Sequence, residues 1–322
     1  MNEVVLSVRN LNLSLHNGAK LVHVLHDVSF DVARGKTIGI VGESGSGKTQ
    51  TMLSIMRLLP KNAVLSGEVL YKGLNLTCLS ENELNRYRWN SISIAFQDPM
   101  TALNPYMTIK QQLIEPLIVH KHMKQDQAIT EALRILDAVR IPDAKSRINF
   151  YPHEFSGGMK QRVMIAMALI CKPEILIADE LTTALDVTVQ AQIIKLLKEL
   201  QNDIHMSILF ISHDLGILSK IADEVIVMYC GCIMEHNTAR GLFYKPTHPY
   251  TKSLINAIPR LNDDVEELKT IPGEPPILDQ IAGGCPFAPR CSIATSICFK
   301  DMPDTQYNGE HTISCFNVEV NK

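Results

Sequence analysis

The sequence predicts an α/β fold with a parallel core sheet, and three observations carry that expectation. Residues 42–49 read Gly-Glu-Ser-Gly-Ser-Gly-Lys-Thr and follow the short apolar run Thr37–Val41, the strand-then-loop order of a phosphate-binding turn. Two further apolar runs, Ile175–Ala178 and Ser207–Ile211, flank a helical stripe of Val189, Ile193, Leu196, Leu197 and Leu200, and strand, helix and strand in succession imply parallel neighbours. At 322 residues and 46% hydrophobic content, the chain can fill one large α/β domain and a smaller appendage.

Taken in order, Val4–Val8 and Val24–Val32 read as strands separated by the turn-forming Asn17-Gly18, giving a small antiparallel layer. The phosphate loop opens a helix near Gly47 that runs to about Leu59 and stops at Pro60; Gly67–Tyr71 and Ile92–Phe96 are further strands. From about 103 to 170 the pattern is helical. Ile129, Ala132, Leu133, Leu136 and Val139 form one face of a helix closed by Pro142. Beyond Pro259 prolines and glycines become frequent and periodicity fades, so a boundary is expected there, dividing residues 1–258 from a tail at 259–322.

Lys and Arg total 31 against 34 Asp and Glu, so no net field argues for nucleic acid or an anionic bilayer. The longest uninterrupted apolar run, Val163–Cys171, is nine residues, about half of the roughly 18 needed to span a bilayer. No transmembrane helix is expected. Met1–Asn12 lacks the basic and apolar regions of a signal peptide.

The chemistry converges on nucleotide phosphates. Gly42, Gly45 and Gly47 let the backbone turn tightly and aim N–H groups inward, Ser44 sits among them as a further nucleotide-binding residue, and the helix start adds the positive end of its dipole. Lys48 would reach the β- and γ-phosphates, and the Thr49 hydroxyl would ligate a bridging Mg²⁺. Ile175–Glu180 is an apolar strand ending in two acids, where a parallel sheet presents its ligand edge. Asp179 would hold Mg²⁺ through its hydration shell, and Glu180 would polarise a water for attack on the γ-phosphate; the plainer reading is a solvated acidic strand end. Phe155–Arg162 is a second glycine-rich helix start, with Ser156 as N-cap and Gly157-Gly158 at its mouth. It is either a second anion site or only a capped helix. His213, just past a strand, can point at a phosphate or be an ordinary surface residue.

In combination these stretches resemble the nucleotide-binding subunit of ABC transporters: the Walker A loop at 42–49, Gln97 after a strand, Ser156-Gly157-Gly158, the acidic strand end with Glu180, Ala184-Leu185-Asp186, then His213. The resemblance implies a P-loop NTPase fold with parallel core sheet, antiparallel β layer and helical subdomain, and an ATP- and Mg²⁺-dependent hydrolysis with Glu180, His213 and Gln97 at the reacting phosphate. It implies that Gln97 also ligates Mg²⁺ and links it to transmembrane subunits, and that Asp186 bridges a dimer. Each ATP would be sandwiched between one chain's Walker A loop and the partner's Ser156, Gly157 and Gly158.

A narrower resemblance covers nearly the whole chain. Phe96–Pro105, Tyr151–Gly158 and His248-Pro249-Tyr250 are similar to the ATPases of bacterial oligopeptide and dipeptide importers. It implies a peripheral subunit at the cytoplasmic face of the inner membrane that energises oligopeptide uptake. Its partners would be a second, different ATPase in a heterodimer, two transmembrane permease subunits and, indirectly, an extracytoplasmic peptide-binding protein, with no nucleic acid involved. Dipeptide or nickel import stays open, as does a non-transport ABC ATPase, although the paired cassettes or long coiled-coil insert of such proteins are absent from this sequence. Two positions depart from the pattern: Leu181 replaces the usual proline after Glu180, and Leu15 stands about where many members stack an aromatic on adenine.

Cys285, Cys291, Cys298 and Cys315 are bunched in the tail with five, six and sixteen residues between them, whereas Cys78, Cys171, Cys230 and Cys232 are dispersed. Without a secretory signal they do not read as a disulfide framework. The C-x₂₋₄-C pairs usual for zinc are missing, and four thiolates also suit an iron–sulfur cluster. The segment Gly284–Cys291 resembles the tail of peptide-importer ATPases that carry [4Fe-4S], so a cluster, Zn²⁺ and free thiols are the three readings.

Overall fold

The computed structural model describes residues 3–18, 20–181, 186–257, 271–276, 283–309 and 311–318. The chain forms two compact units, each assembled from separated spans. One takes Val4–Val32, Thr37–Thr77 and Ile211–Lys322; the other takes Met1–Glu3, Ala33–Lys36 and Cys78–Phe210.

The first unit begins with β1 (Val4–Asn17), β2 (Lys20–Ala33), β3 (Thr37–Val41), α1 (Lys48–Ile55), β4 (Ala63–Tyr71) and β5 (Leu74–Asn75). Strands order as β2-β1-β4-β5, the expected antiparallel layer. β1 is more than twice as long as the apolar run Val4–Val8, because a shift of register between Arg9 and Asn12 lets the alternation continue on the other side of an irregularity. Asn10 there has φ 45°, and opposite it a Cβ on Gly67 would meet the Asn10 carbonyl oxygen at 2.3 Å.

The second unit carries α2 (Glu81–Leu84), β6 (Ile92–Ala95), α3 (Pro99–Ala102), α4 (Ile109–Lys121), α5 (Gln125–Ala138), α6 (Ala144–Arg147), α7 (Gly157–Leu169), β7 (Ile175–Asp179), α8 (Val187–Ile204) and β8 (Ser207–Ile211). β6 pairs with β7 in parallel, from Ile92 opposite Ile175 to Ala95 opposite Ala178, and β7 lies between β6 and β8. Every residue of the three strands is buried, as expected of a parallel sheet covered on both faces. Between 103 and 170 the chain carries α4 to α7, with the short α3 just before it. On α5, however, Ala128, Ala132 and Leu136 are the fully buried positions, with Ile129 and Leu133 only half-buried. The small alanines let the helix approach its neighbours closely, which rotates the stripe by one residue from its most hydrophobic setting.

The chain then completes the first unit with α9 (Leu215–Ile221), β9 (Glu224–Tyr229), β10 (Cys232–Thr238), α10 (Ala239–Tyr244), α11 (Pro249–Asn256), β11 (Thr305–Asn308) and β12 (His311–Ser314). β3 pairs with β9 in parallel, and the order on that side is β11-β12-β10-β9-β3. The boundary expected at Pro259 lies outside the described residues. Downstream of it the tail returns a hairpin to the sheet, with Ile313 opposite Glu235. The Glu235 carboxylate, fully buried, accepts from the Thr247 and His248 amides at 2.9 Å each and pairs with His311 Nε2 at 3.1 Å, so its charge is satisfied. Among the described residues no helix is long and apolar enough to cross a membrane.

Candidate nucleotide site

The buried strand β3 delivers Gly42, where any side chain is excluded: a Cβ would meet the Met228 carbonyl oxygen at 2.2 Å and Ser46 Oγ at 2.5 Å. Gly45 and Gly47 have φ 78° and 100°, and Gly47 caps α1. The loop is tied down by the Ser46 amide on the Glu43 carbonyl (3.1 Å) and the Gly231 amide on the Ser46 carbonyl (2.9 Å). Lys48, only 6% exposed, donates from Nζ to the Gly42 and Glu43 carbonyls at 2.8 and 3.0 Å, which holds its cation inside the cradle. Thr49 follows on the first turn and is exposed. Beside the loop opens a cavity of about 490 Å³ whose walls include Ser44, Gly45, Asn17, Val22, Pro275 and Pro276. Val22 and the two prolines supply apolar surface there. His213 is exposed one residue beyond Ser212, whose amide donates to the Ile40 carbonyl at 3.1 Å, so it emerges at the sheet edge that carries the loop.

In the other unit β7 ends at Asp179, 4% exposed, and the chain turns through Glu180 with φ 46°. That left-handed step swings the Glu180 carboxylate toward Gln97, whose Nε2 donates to its Oε2 at 2.9 Å. A cleft of about 560 Å³ is lined by Asp179, Gln97, Phe96, Met164 and Met167. Leu181 is buried, and its carbonyl accepts from the Gln161 side-chain amide, so the residue in proline's usual place is built into the turn. Ser156 caps α7, accepting from the Met159 amide at 3.4 Å, and with Gly157 it faces solvent, while Gly158 is half-buried. A Cβ on Gly157 would meet nothing within 4 Å, so its own chain does not require that glycine. Asp186 caps α8, its Oδ1 accepting from the Thr188 and Val189 amides at 3.0 and 2.9 Å. Ala184 and Leu185 lie outside the described residues.

Cys285, Cys291, Cys298 and Cys315 line one small pocket with His248 and Phe287. All four are free thiols. Burial pushes Cys285 up to about 11 and also raises Cys291 and Cys315; at Cys298 burial acts in the same sense, but hydrogen bonds with Thr295 and Asn317 outweigh it and lower the pKa. Burial lowers His248 to about 3, leaving it neutral, with Nδ1 accepting from the Tyr250 amide at 3.0 Å. Among the described residues no group of three His, Cys, Asp or Glu is placed to hold a metal ion. Four soft thiols on one apolar pocket are chemically suited to a thiolate-bound group, but as placed they do not form one.

Three residues escaped the sequence reading: Arg290 and Tyr250 bond to Glu43 of the phosphate loop, and Tyr229 accepts from Arg290. Tyr250 stood in a recognised motif and Arg290 in the cysteine segment, but a pairing across 247 positions leaves no local signal.

A lysine held in a glycine-lined turn at the end of a parallel strand defines a P-loop nucleotide-binding protein. The family described as ABC transporter matches residues 25–183, and that described as Oligopeptide/dipeptide transporter, C-terminal region, matches 234–298. The chain is 48% identical to "Oligopeptide transport ATP-binding protein OppD" of Escherichia coli (strain K12), over 98% of this chain and 93% of that one. It is 50% identical to OppD of Haemophilus influenzae (97% of each chain) and 49% identical to "Dipeptide transport ATP-binding protein DppD" of Bacillus subtilis (98% and 95%). Among solved structures it is similar to the dimeric ATP-binding cassette MJ0796 bound to ADP and Pi, at TM-score 0.66 and 28% identity over 73% of this chain and 99% of that one. The chain belongs to the ABC transporter ATP-binding proteins, in the oligopeptide and dipeptide branch.

Proposed function

We propose that this chain is the ATP-hydrolysing subunit of an importer that drives oligopeptide uptake across the bacterial inner membrane from its cytoplasmic face. The observation that carries the reading is the continuity of likeness, 48–50% identity over alignments that span cassette and tail together with oligopeptide transport ATP-binding proteins. In this reading Gly42, Ser44, Gly45, Gly47 and Lys48 bind the ATP phosphates. Thr49, Gln97 and Asp179 would hold Mg²⁺, which when bound supplies charge neutralisation at the transferred phosphoryl group. Glu180, oriented by Gln97, takes the proton of the attacking water, and His213 contacts the γ-phosphate.

The solvent-facing Ser156 and Gly157, with Gly158 and Asp186, serve the nucleotide of a second cassette, which we infer to be a different ATPase. Two permease subunits complete the transporter and an extracytoplasmic peptide-binding protein feeds it. Exposed Met100, Tyr106 and Val119 on the helical segment, beside a groove of about 380 Å³ that includes Val119, Trp89 and Met107, offer a permease segment an apolar seat. The four tail thiols would hold [4Fe-4S], with Zn²⁺ as the alternative occupant.

The complex reconstituted in proteoliposomes tests this: ATP turnover should rise several-fold with receptor loaded with peptides longer than dipeptides. Stimulation by dipeptides alone would move the chain to the dipeptide branch, and no stimulation by any peptide would sink the transport reading.

A further inference from the structure

Glu43, the second residue of the phosphate loop, is held by its side chain and by its backbone amide, and both restraints come from the far end of the chain. Arg290 grips its carboxylate as a fork, Nη1 on Oε2 at 2.6 Å and Nη2 on Oε1 at 3.1 Å. The Arg290 side chain is 4% exposed against 25% for Glu43. Its remaining capacity is spent on Tyr229 Oη (3.1 Å) and on the carbonyls of Pro272 (2.9 Å) and Ile271 (3.3 Å). The Glu43 amide donates to Tyr250 Oη at 2.9 Å, and Tyr229, Tyr250 and Phe287 pack edge-on or tilted against one another with centroids 4.6–5.3 Å apart. The stretch that Arg290 holds continues into Pro275 and Pro276, which wall the cavity beside the loop.

We propose that Arg290 is a positioning residue for the nucleotide site, clamping the phosphate loop through Glu43 so that the C-terminal extension sets ATP affinity. The inference rests on the reading that this loop binds ATP. Two physical effects act together. The fork and the Tyr250 bond fix the backbone at Glu43, whose carbonyl also accepts from Lys48, so the cradle is organised before phosphate arrives. The guanidinium also cancels a carboxylate that would otherwise stand beside a polyanionic ligand. A glutamate in a phosphate cradle is tolerable only while it is neutralised.

The test uses the full-length chain and titration with a fluorescent ATP analogue, followed by ATPase kinetics in the assembled transporter. Arg290→Met should weaken ATP at least tenfold and raise KM correspondingly, with kcat within about twofold of wild type. Arg290→Lys, which keeps charge but loses the fork, should fall between. Adding Glu43→Gln to Arg290→Met should recover most of the affinity, a rescue that loss of tail structure alone would not give. ATP affinity within twofold of wild type in Arg290→Met, or a double variant as weak as the single, would overturn the proposal. Should Arg290→Met fail to fold, Arg290→Lys decides the matter, and unchanged affinity there overturns it equally. Lys48→Ala separates the two readings: if it binds ATP normally the loop assignment fails, whereas loss there with no effect at Arg290 defeats this inference alone.

Discussion

Replacing Glu180 by Gln isolates one charge. The variant amide oxygen can still accept from Gln97 Nε2, which sits 2.9 Å from the carboxylate, and the neighbouring Leu181 anchor through Gln161 is untouched. Geometry is therefore kept while the proton acceptor is lost. General-base catalysis contributes about 10²- to 10⁴-fold, equivalent to roughly 2.7–5.4 kcal/mol at about 1.36 kcal/mol per decade. Gln97→Ala, by contrast, leaves the base in place but removes the charge-assisted hydrogen bond that orients it, worth about 1.5 kcal/mol or near tenfold, together with one of the three side chains proposed to hold Mg²⁺, so tenfold is the least loss expected. The two variants should rank accordingly in phosphate release at saturating ATP, with Glu180→Gln at least a hundredfold down and Gln97→Ala at least tenfold down but less impaired than Glu180→Gln. Equilibrium binding of labelled ATP should be unchanged in Glu180→Gln, because the residue is not part of the phosphate cradle. Wild-type turnover in that variant would refute its assignment as base, and a larger loss in Gln97→Ala would invert the order of roles.

Ser156→Arg places a long cation at an exposed helix start, so it should abolish ATPase of the assembled pair while leaving ATP binding by the isolated chain within twofold; light scattering should show that chain as mainly monomeric, and a fully active homodimer would count against pairing with a different ATPase. Gly42→Ala must push Met228 or Ser46 aside, since its Cβ would stand 2.2 Å from a backbone oxygen. Overpacking of this kind costs about 1–3 kcal/mol, so thermal melting should fall by roughly 2–4 °C per kcal/mol and ATP binding should drop with it. Anaerobically purified protein should be brown with about four irons per chain, and Cys291→Ser should lose the colour while keeping ATP binding. One zinc per chain in colourless protein would instead assign the pocket to that metal.

Local chemistry made much of this molecule legible. The loop at 42–49, the buried strand Ile175–Asp179 and the Ser156 cap each announce themselves within a dozen residues, because the steric demands of a phosphate turn, a two-sided strand and a helix start are satisfied by neighbours in sequence. What depended on distant partners was less legible. The length of β1 needed a register shift against β4 that no alternation pattern encodes, and the α5 face was set by how closely alanines let helices pack. The tail's strands β11 and β12 were not anticipated, since Thr305–Asn308 and His311–Ser314 are short and polar and become strands only by pairing.

That hairpin has a consequence for solubility. Without β12, strand β10 would present its Glu235 and His236 backbone groups as an open edge, and Glu235 would lose His311. An unpaired edge is a template for another chain to add a strand. The outermost strand is instead β11, four residues long, polar and largely exposed, which is a poor template. Chains shortened to residue 257 should consequently tend to associate edge to edge, so a tail deletion that aggregates speaks of a lost sheet border rather than a lost catalytic part.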